Sequence, residues 1–231
     1  MFSGQIFADF AGYSNIARGI SYLLGYRLPV NFNAPYLAAS FKNFWERWHI
    51  TLSTWLRDYL CVPLGGNRLG RRRTYVNLAL VMLLGGLWHG AAYRFVVWGG
   101  IHGLALACER LLGLHRDPQA GNGKAVRALW FVVVQCVVLL GWVFFRSESV
   151  SDGFRFVSNL WALDFRPLPR VALAGSLFLL PLIGLHLWAS LRERGYFRPL
   201  GPVGRAALVG VMVYAITSFH GGTSDFIYFQ F

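Results

Sequence analysis

Apolar and polar positions alternate on two length scales along this chain. On the longer scale, the residues from Thr74 onward fall into five apolar runs, at roughly 74–92, 95–112, 128–145, 171–191 and 206–219. Each approaches the ~20 residues that an α-helix needs to cross a bilayer. On the shorter scale, Phe41, Phe44, Trp45, Trp48, Leu52, Trp55, Leu56 and Tyr59 recur at helical spacing, with Glu46, His49, Ser53 and Arg57 on another face. That segment, 36–61, is too polar to span, and its tryptophans suit headgroup depth, so it predicts an interfacial or re-entrant helix. Residues 1–27 mix aromatic and small residues with Asp9, Tyr13, Ser14, Asn15 and Arg18. They predict a helix facing a polar interior, with Asp9 capping it or pairing with Arg18. The pattern as a whole predicts an all-α polytopic membrane protein. Its single domain, 1–231, holds the polar-lined helix 1–27, the amphipathic helix 36–61, a hairpin at 74–112 that turns near Tyr93 and Arg94, and three further spans within 128–219.

Composition strengthens this picture. Of 231 residues, 55% are hydrophobic and 14% charged, against about 25% charged in ordinary soluble domains. The net charge of +12 would suit nucleic acid. However, the arginines cluster between apolar runs and no nucleic-acid-binding motif is present, so the lipid bilayer is the expected partner. The three cysteines, Cys61, Cys108 and Cys136, lack metal-type spacing, and neither a metal site nor a disulfide framework is expected. The first 24 residues lack a basic leader and carry Asp9, Asn15 and Arg18, so they do not read as a cleaved signal.

Charge placement orients the runs. With Arg68, Arg71, Arg72 and Arg73 in the cytoplasm, the basic stretches 110–127 and 192–205 fall on the same side and Arg94 on the other. The loop 146–170 then lies outside. The Gly65-Gly66-Asn67 turn followed by arginines resembles a phosphate cradle only weakly, because it lacks the lysine and hydroxyl residue of a P-loop. Anionic lipid headgroups and coenzyme phosphates fit those arginines equally.

Two histidines stand out in the hairpin. His89 lies in Gly86-Leu87-Trp88-His89-Gly90-Ala91 and His102 in Trp98-Gly99-Gly100-Ile101-His102-Gly103. An imidazole at membrane depth is either a functional group or an interhelical contact. The pairs Gly86/Gly90 and Gly99/Gly103 place small residues one turn apart, which lets two backbones approach closely. His89 and His102 are therefore expected to face protein or a tunnel. His49 is a second catalytic candidate, with Glu46 as its orienting partner or, alternatively, as part of a salt-bridged face. His186 reads as structural, His115 as a loop residue, and His220 as a weaker candidate.

Several motifs carry a family resemblance. Asp9-Phe10-Ala11-Gly12-Tyr13-Ser14, Asn31-Phe32-Asn33-Ala34-Pro35-Tyr36, Phe44 to Ser53, Trp55 to Tyr59, Pro63 to Asn67, the two hairpin motifs and the terminal Phe226 to Phe231 resemble the membrane-bound O-acyltransferase family, in its bacterial alginate O-acetyltransferase branch. The chain departs from that pattern at Ala11, where serine is usual, and at Asn15, where aspartate is common. Members carry about as many residues again before the motif at Asp9. The resemblance implies a helical ring in a bacterial inner (plasma) membrane, crossed several times. It implies an O-acyltransferase in which His89 is the base and His49 polarises the donor carbonyl or orients the acceptor. Arg57, Asn67 and Ser53 are candidate substrate contacts. No bound cofactor is implied; acetyl-CoA or another acyl donor is a substrate. The acceptor is a hydroxyl of an exported, alginate-like polysaccharide or of a periplasmic acetyltransferase or secretion partner. A non-catalytic scaffold that docks soluble acetyltransferases, or a transporter, are the other classes the sequence admits.

Overall fold

The computed structural model describes residues 2–114, 123–161, 180, 182–192, 195–196 and 201–218. His115, His220, the terminal motif, most of the run 171–191 before its helical end, and the second half of the loop 146–170 lie outside the described residues. Every regular element among the described residues is helical.

Helix α1 runs Phe2–Leu23. The connector after it ends in a single 3₁₀ turn, Pro35–Leu37. The amphipathic stripe does not form one helix. It forms α2, Phe41–Trp45, and α3, Ile50–Leu56, which runs on as a π-helical turn, Arg57–Cys61. Between them the chain reverses, with His49 in the left-handed region at φ 44°. The cause is a partner outside the helix. Asn33 N–H donates to Arg47 O at 2.9 Å and Ile50 N–H to Asn31 O at 3.0 Å. The Asn31 side chain takes the next donor, Thr51 N–H, at 3.2 Å. Two of these bonds satisfy free N–H groups of a new helix start, those of Ile50 and Thr51, so α3 begins afresh at Ile50.

Helices α4, Gly70–Trp88, and α5, Tyr93–Leu111, form the expected hairpin. Its turn lies at 89–92, not at Tyr93-Arg94, and those two residues open α5. Glycines set the crossing. A Cβ at Gly86 would lie 2.2 Å from Phe95 O, and one at Gly99 would lie 2.3 Å from Met82 O, so only glycine permits this approach. Helix α6, Lys124–Arg146, packs antiparallel to α5, with Trp98 over Trp142 and Phe95 against Phe145. At the far end Arg94 Nη1 donates to Ser147 O at 2.5 Å, bringing the α4–α5 turn and the end of α6 together.

Three further helices follow. The loop expected at 146–170 contains an amphipathic helix, α7, Val150–Trp161, capped by Ser149 Oγ, which accepts Asp152 N–H at 3.1 Å. Residues 182–192 form α8, and Pro202–Ser218 form α9. Among the described residues, Lys124–Arg146 is the one helix both long and apolar enough by itself to cross a membrane, and Pro202–Tyr214 is a shorter apolar helix.

The α2–α3 pair is a second hairpin nested against the first. Its ends are fixed near Gly70 and Leu111. The Glu109 carboxylate, fully buried, accepts Phe41 N–H at 2.5 Å and Lys42 N–H at 3.0 Å, and Trp130 Nε1–H at 3.4 Å. It therefore caps α2 from α5, while Ser40 Oγ accepts Asn43 N–H at 3.0 Å. The returning limb is held by Asn77, whose Nδ2 donates to Leu64 O at 3.1 Å and Gly66 O at 2.9 Å. Replacing Glu109 by alanine strips an acceptor from three donors, at about 1–3 kcal/mol for each one left bare. The thermal midpoint of Glu109→Ala in detergent is expected to fall well below that of the parent, with Glu109→Gln between them.

Candidate active site

Both hairpins close at the same end, and each carries a histidine at its tip. His49 sits in the turn of α2–α3, and His89 ends α4, its N–H bonded to Gly86 O at 3.0 Å. The two rings are 6.5 Å apart between centroids. Trp88 lies 5.9 Å from His49, while Trp98 and Phe145 each stand edge-on to His89 at 5.2 Å.

The two rings line different cavities. His89 lines one of about 480 Å³, walled by Leu52, Leu56, Met82 and Gly85 and reaching Lys42, Ser53 and Arg57. His49 lines another of about 500 Å³, with Phe10, Tyr13 and Arg18 from α1, Asn31, Thr51 and Trp88. The first is lined mainly by aliphatic side chains, with Lys42, Glu46 and Arg57 among them. The second is lined mainly by apolar and aromatic surface, with the hydroxyl, amide and guanidinium groups of Ser14, Thr51, Asn31 and Arg18 among it.

His49 is 7% exposed. Its Nδ1 lies 3.2 Å from Asn31 Oδ1, and its Nε2 is buried with no hydrogen-bond partner among the described residues. Glu46 is not its orienting partner. That carboxylate lies on the exposed side of the turn, 3.5 Å from Lys42 Nζ and 3.3 Å from Asn43 Nδ2. The helix break turned His49 inward and left Glu46 out. Nor does Asp9 pair with Arg18, whose guanidinium donates to Asn15 Oδ1 at 3.2 Å and Leu28 O at 3.4 Å.

The expected substrate contacts separate. Ser53 and Arg57 line the His89 cavity. Ser53 Oγ donates to Trp48 O at 3.2 Å, and Arg57 bonds both oxygens of Asp58, at 2.7 and 3.1 Å. That guanidinium holds the Asp58 carboxyl below its ordinary range. Asn67 is exposed on the far loop and lines neither cavity. His102 is fully buried between Phe44, Trp45 and Trp98 and lines neither cavity. His186 bonds Leu182 O at 2.9 Å and stacks on Tyr36. No group of three or more acidic, histidine or cysteine side chains suited to a metal occurs among the described residues. Sequence reasoning assigned no role to Asn31, although it opens one of the motifs singled out above.

A sequence model of the membrane-bound O-acyltransferase family matches residues 1–151, which include both hairpins. The chain belongs to that family. It is 40% identical over 213 residues to the probable alginate O-acetylase AlgI of Pseudomonas putida, covering 91% of this chain and 43% of the relative. The AlgI of Pseudomonas aeruginosa is 45% identical over 161 residues, 70% of this chain and 30% of the relative. The peptidoglycan O-acetyltransferase of Helicobacter pylori is 38% identical over 178 residues, 77% and 33% of the two chains. The chain thus spans less than half the length of these relatives. As a member of this O-acyltransferase family, it carries His49, His89 and Asn31 all inside the matched segment.

Burial pushes His49 down to about 4, so the imidazole is neutral at pH 7. Protonation is disfavoured in the folded state only, so His49 costs no stability above its ordinary pKa of about 6.5. As pH falls from there toward 4, the unfolded chain gains a proton that the folded chain refuses, and stability is lost. His49→Gln is expected to flatten the acid limb of a plot of thermal midpoint against pH between 6.5 and 4, leaving the plot above 7 unchanged in slope.

Proposed function

We propose that this chain forms the acyl-transfer core of a multi-pass O-acyltransferase of the bacterial inner membrane, with the reaction at the His49–His89 junction. The observation that carries this reading is the pair of imidazoles 6.5 Å apart, each lining a separate cavity. Acyl transfer needs a thioester and a hydroxyl brought from different places to one carbonyl carbon. It also needs a group that accepts the hydroxyl proton.

The His89 cavity suits the donor. Its aliphatic walls accept an acyl chain and thioester arm, and Lys42 and Arg57, each paired with a carboxylate (Glu46 and Asp58), are the cations it would turn to an anionic carrier such as acetyl-CoA. The edge lies toward Arg71, Arg72 and Arg73, which open α4 and which the positive-inside bias assigns to the cytoplasm. The His49 cavity suits the acceptor, a hydroxyl of an exported polysaccharide or of a periplasmic partner protein. The acceptor oxygen attacks the thioester carbonyl and the carbon–sulfur bond breaks. The hydroxyl proton passes to the histidine pair and returns to the departing thiolate.

The fold's dimensions support this membrane placement. Helices α4 and α5 have 19 residues each, about 28 Å of helix, close to the ~30 Å of a hydrocarbon core. Their polar groups turn inward: Asn77, His102 and Glu109 are buried, while Leu80, Leu84, Leu87, Leu104 and Leu111 are exposed. With α6, the end of the fourth run and α9, this supports five spans in a ring, the α2–α3 hairpin entering and leaving from the cytoplasmic side.

The test uses a strain lacking the gene, complemented with full-length protein, and measures O-acetyl groups on the exported polysaccharide. His89→Ala is expected to reduce acetylation by about a hundredfold or more at unchanged membrane abundance. Wild-type acetylation in that strain would overturn the reading and leave a non-catalytic scaffold in its place.

A further inference from the structure

Asn31 occupies an unusual position. It lies in the connector after α1, 9% exposed, and its one side-chain oxygen meets three groups of the turn. Thr51 N–H donates to Oδ1 at 3.2 Å, Thr51 Oγ1–H donates at 2.9 Å, and His49 Nδ1 stands at 3.2 Å. Its Nδ2 donates to Ser14 Oγ on α1 at 3.3 Å.

The backbone donor settles the orientation of this amide. A peptide N–H cannot accept a hydrogen bond, so the atom facing Thr51 N must be the oxygen. Turned over, the NH₂ group would meet that N–H donor to donor. An amide oxygen in turn cannot donate, so His49 Nδ1 must carry a proton to bond it. In the neutral ring the lone pair then lies on Nε2, the buried nitrogen with no partner among the described residues. We propose that Asn31 is a positioning residue, holding His49 in the tautomer whose Nε2 takes the proton of the acceptor hydroxyl. This rests on the reading above in one respect, that His49 works on the acceptor side, and within the histidine pair it gives His49 the proton-accepting role that the family resemblance implies for His89.

In the step itself, the hydroxyl proton moves to His49 Nε2 as the carbon–oxygen bond forms at the thioester carbonyl. The carbon–sulfur bond then breaks, and Nε2 returns the proton to the thiolate. The arrangement keeps His49 neutral. The ionisable groups around it are His89 at the end of α4, Tyr13 and Arg18 of α1 across the cavity, and Arg47 in its own turn. Arg47 donates to Asn43 Oδ1 and Asn33 O. No carboxylate lines that cavity among the described residues. A neutral amide thus orients the ring without stabilising the imidazolium. An aspartate in the same place would orient it and stabilise the charged form as well.

Two measurements on the full-length protein in membranes test this. The first is solid-state NMR of ¹⁵N-histidine-labelled protein, with His49 assigned by its loss in His49→Gln. The expected result is one neutral tautomer protonated at Nδ1 in the parent, both tautomers in Asn31→Leu, and imidazolium at pH 6 in Asn31→Asp. A parent ring protonated at Nε2, or an Asn31→Leu ring unchanged from the parent, would overturn the proposal. The second is transfer of radiolabelled acetyl from acetyl-CoA into polymer by membrane vesicles. Asn31→Leu is expected to lose about tenfold or more at every pH, since a misplaced tautomer cripples a histidine base. Asn31→Asp is expected to approach the parent at pH 8 and lose about tenfold at pH 6. A purely structural cap would instead leave the shape of the Asn31→Asp pH profile like the parent's, and that result would overturn the proposal. If the NMR result holds while His49→Gln keeps full transfer, the tautomer assignment stands and the catalytic reading of His49 fails.

Discussion

The left-handed backbone at His49 is the constraint on which the rest depends. A non-glycine residue there costs about 1–2 kcal/mol, and an unbroken amphipathic helix would avoid that cost. The cost is offset because the reversal lets the connector supply what a helix start lacks. The carbonyl and side chain of Asn31 accept the N–H groups of Ile50 and Thr51, and Asn33 N–H donates to Arg47 O. Removing the reversal would swing His49 back onto the exposed face that Glu46 and Arg57 occupy. The catalytic candidate and the backbone strain are thus one feature, as expected where strain persists because surrounding bonds over-determine it.

That turn is useful only if it meets His89, and two features elsewhere set the register. Gly86 and Gly99 bring α4 and α5 into backbone contact, which fixes where the hairpin closes. Glu109, about four turns along α5 from its start, fixes where α2 begins. Between these points the aromatic stripe fills the space. Phe44 stacks on Trp48 at 5.8 Å, and Trp48 packs on Trp142 at 4.8 Å. The result is a stiff wall with few polar atoms, in which the two imidazoles are held by packing and one hydrogen-bonded amide. Preorganisation of this kind is what the proposed transfer between two chambers would require.

How much of this could be read from the sequence varied with the range of the determining contact. The α4–α5 hairpin, its close glycine crossing and the inward-facing histidine candidates follow from local spacing and were legible. The buried stripe was legible too: Phe41, Phe44, Trp48, Leu52 and Leu56 are buried, whereas Trp55 and Tyr59 are exposed. The break within it was not, because a helical period says nothing about an acceptor 18 residues upstream, at Asn31. Glu109 was hidden for a related reason. Beside Arg110 it looks like the edge of a basic loop, and only the packing of α2 shows why a carboxylate is buried there. Helix α7 did have a local signal, Ser149 three residues before Asp152, a capping pattern masked by the surrounding charges.

The described histidines also show why burial alone does not mark a site. His102 is more deeply buried than His49 or His89, yet aromatic rings enclose it and a Cβ at Gly141 would come within 2.8 Å of its Nε2. It lines neither cavity and fills the wall between α2, α5 and α6. His186 spends its Nδ1 on the backbone of its own helix. His49 and His89 differ from both in lining cavities, and from each other in which cavity they line. A hydroxyl and a thioester must come within about 3 Å to react. In the proposed transfer two rings 6.5 Å apart stand on the two approaches to one acyl carbon, whereas His102, packed against Trp98, lines neither cavity.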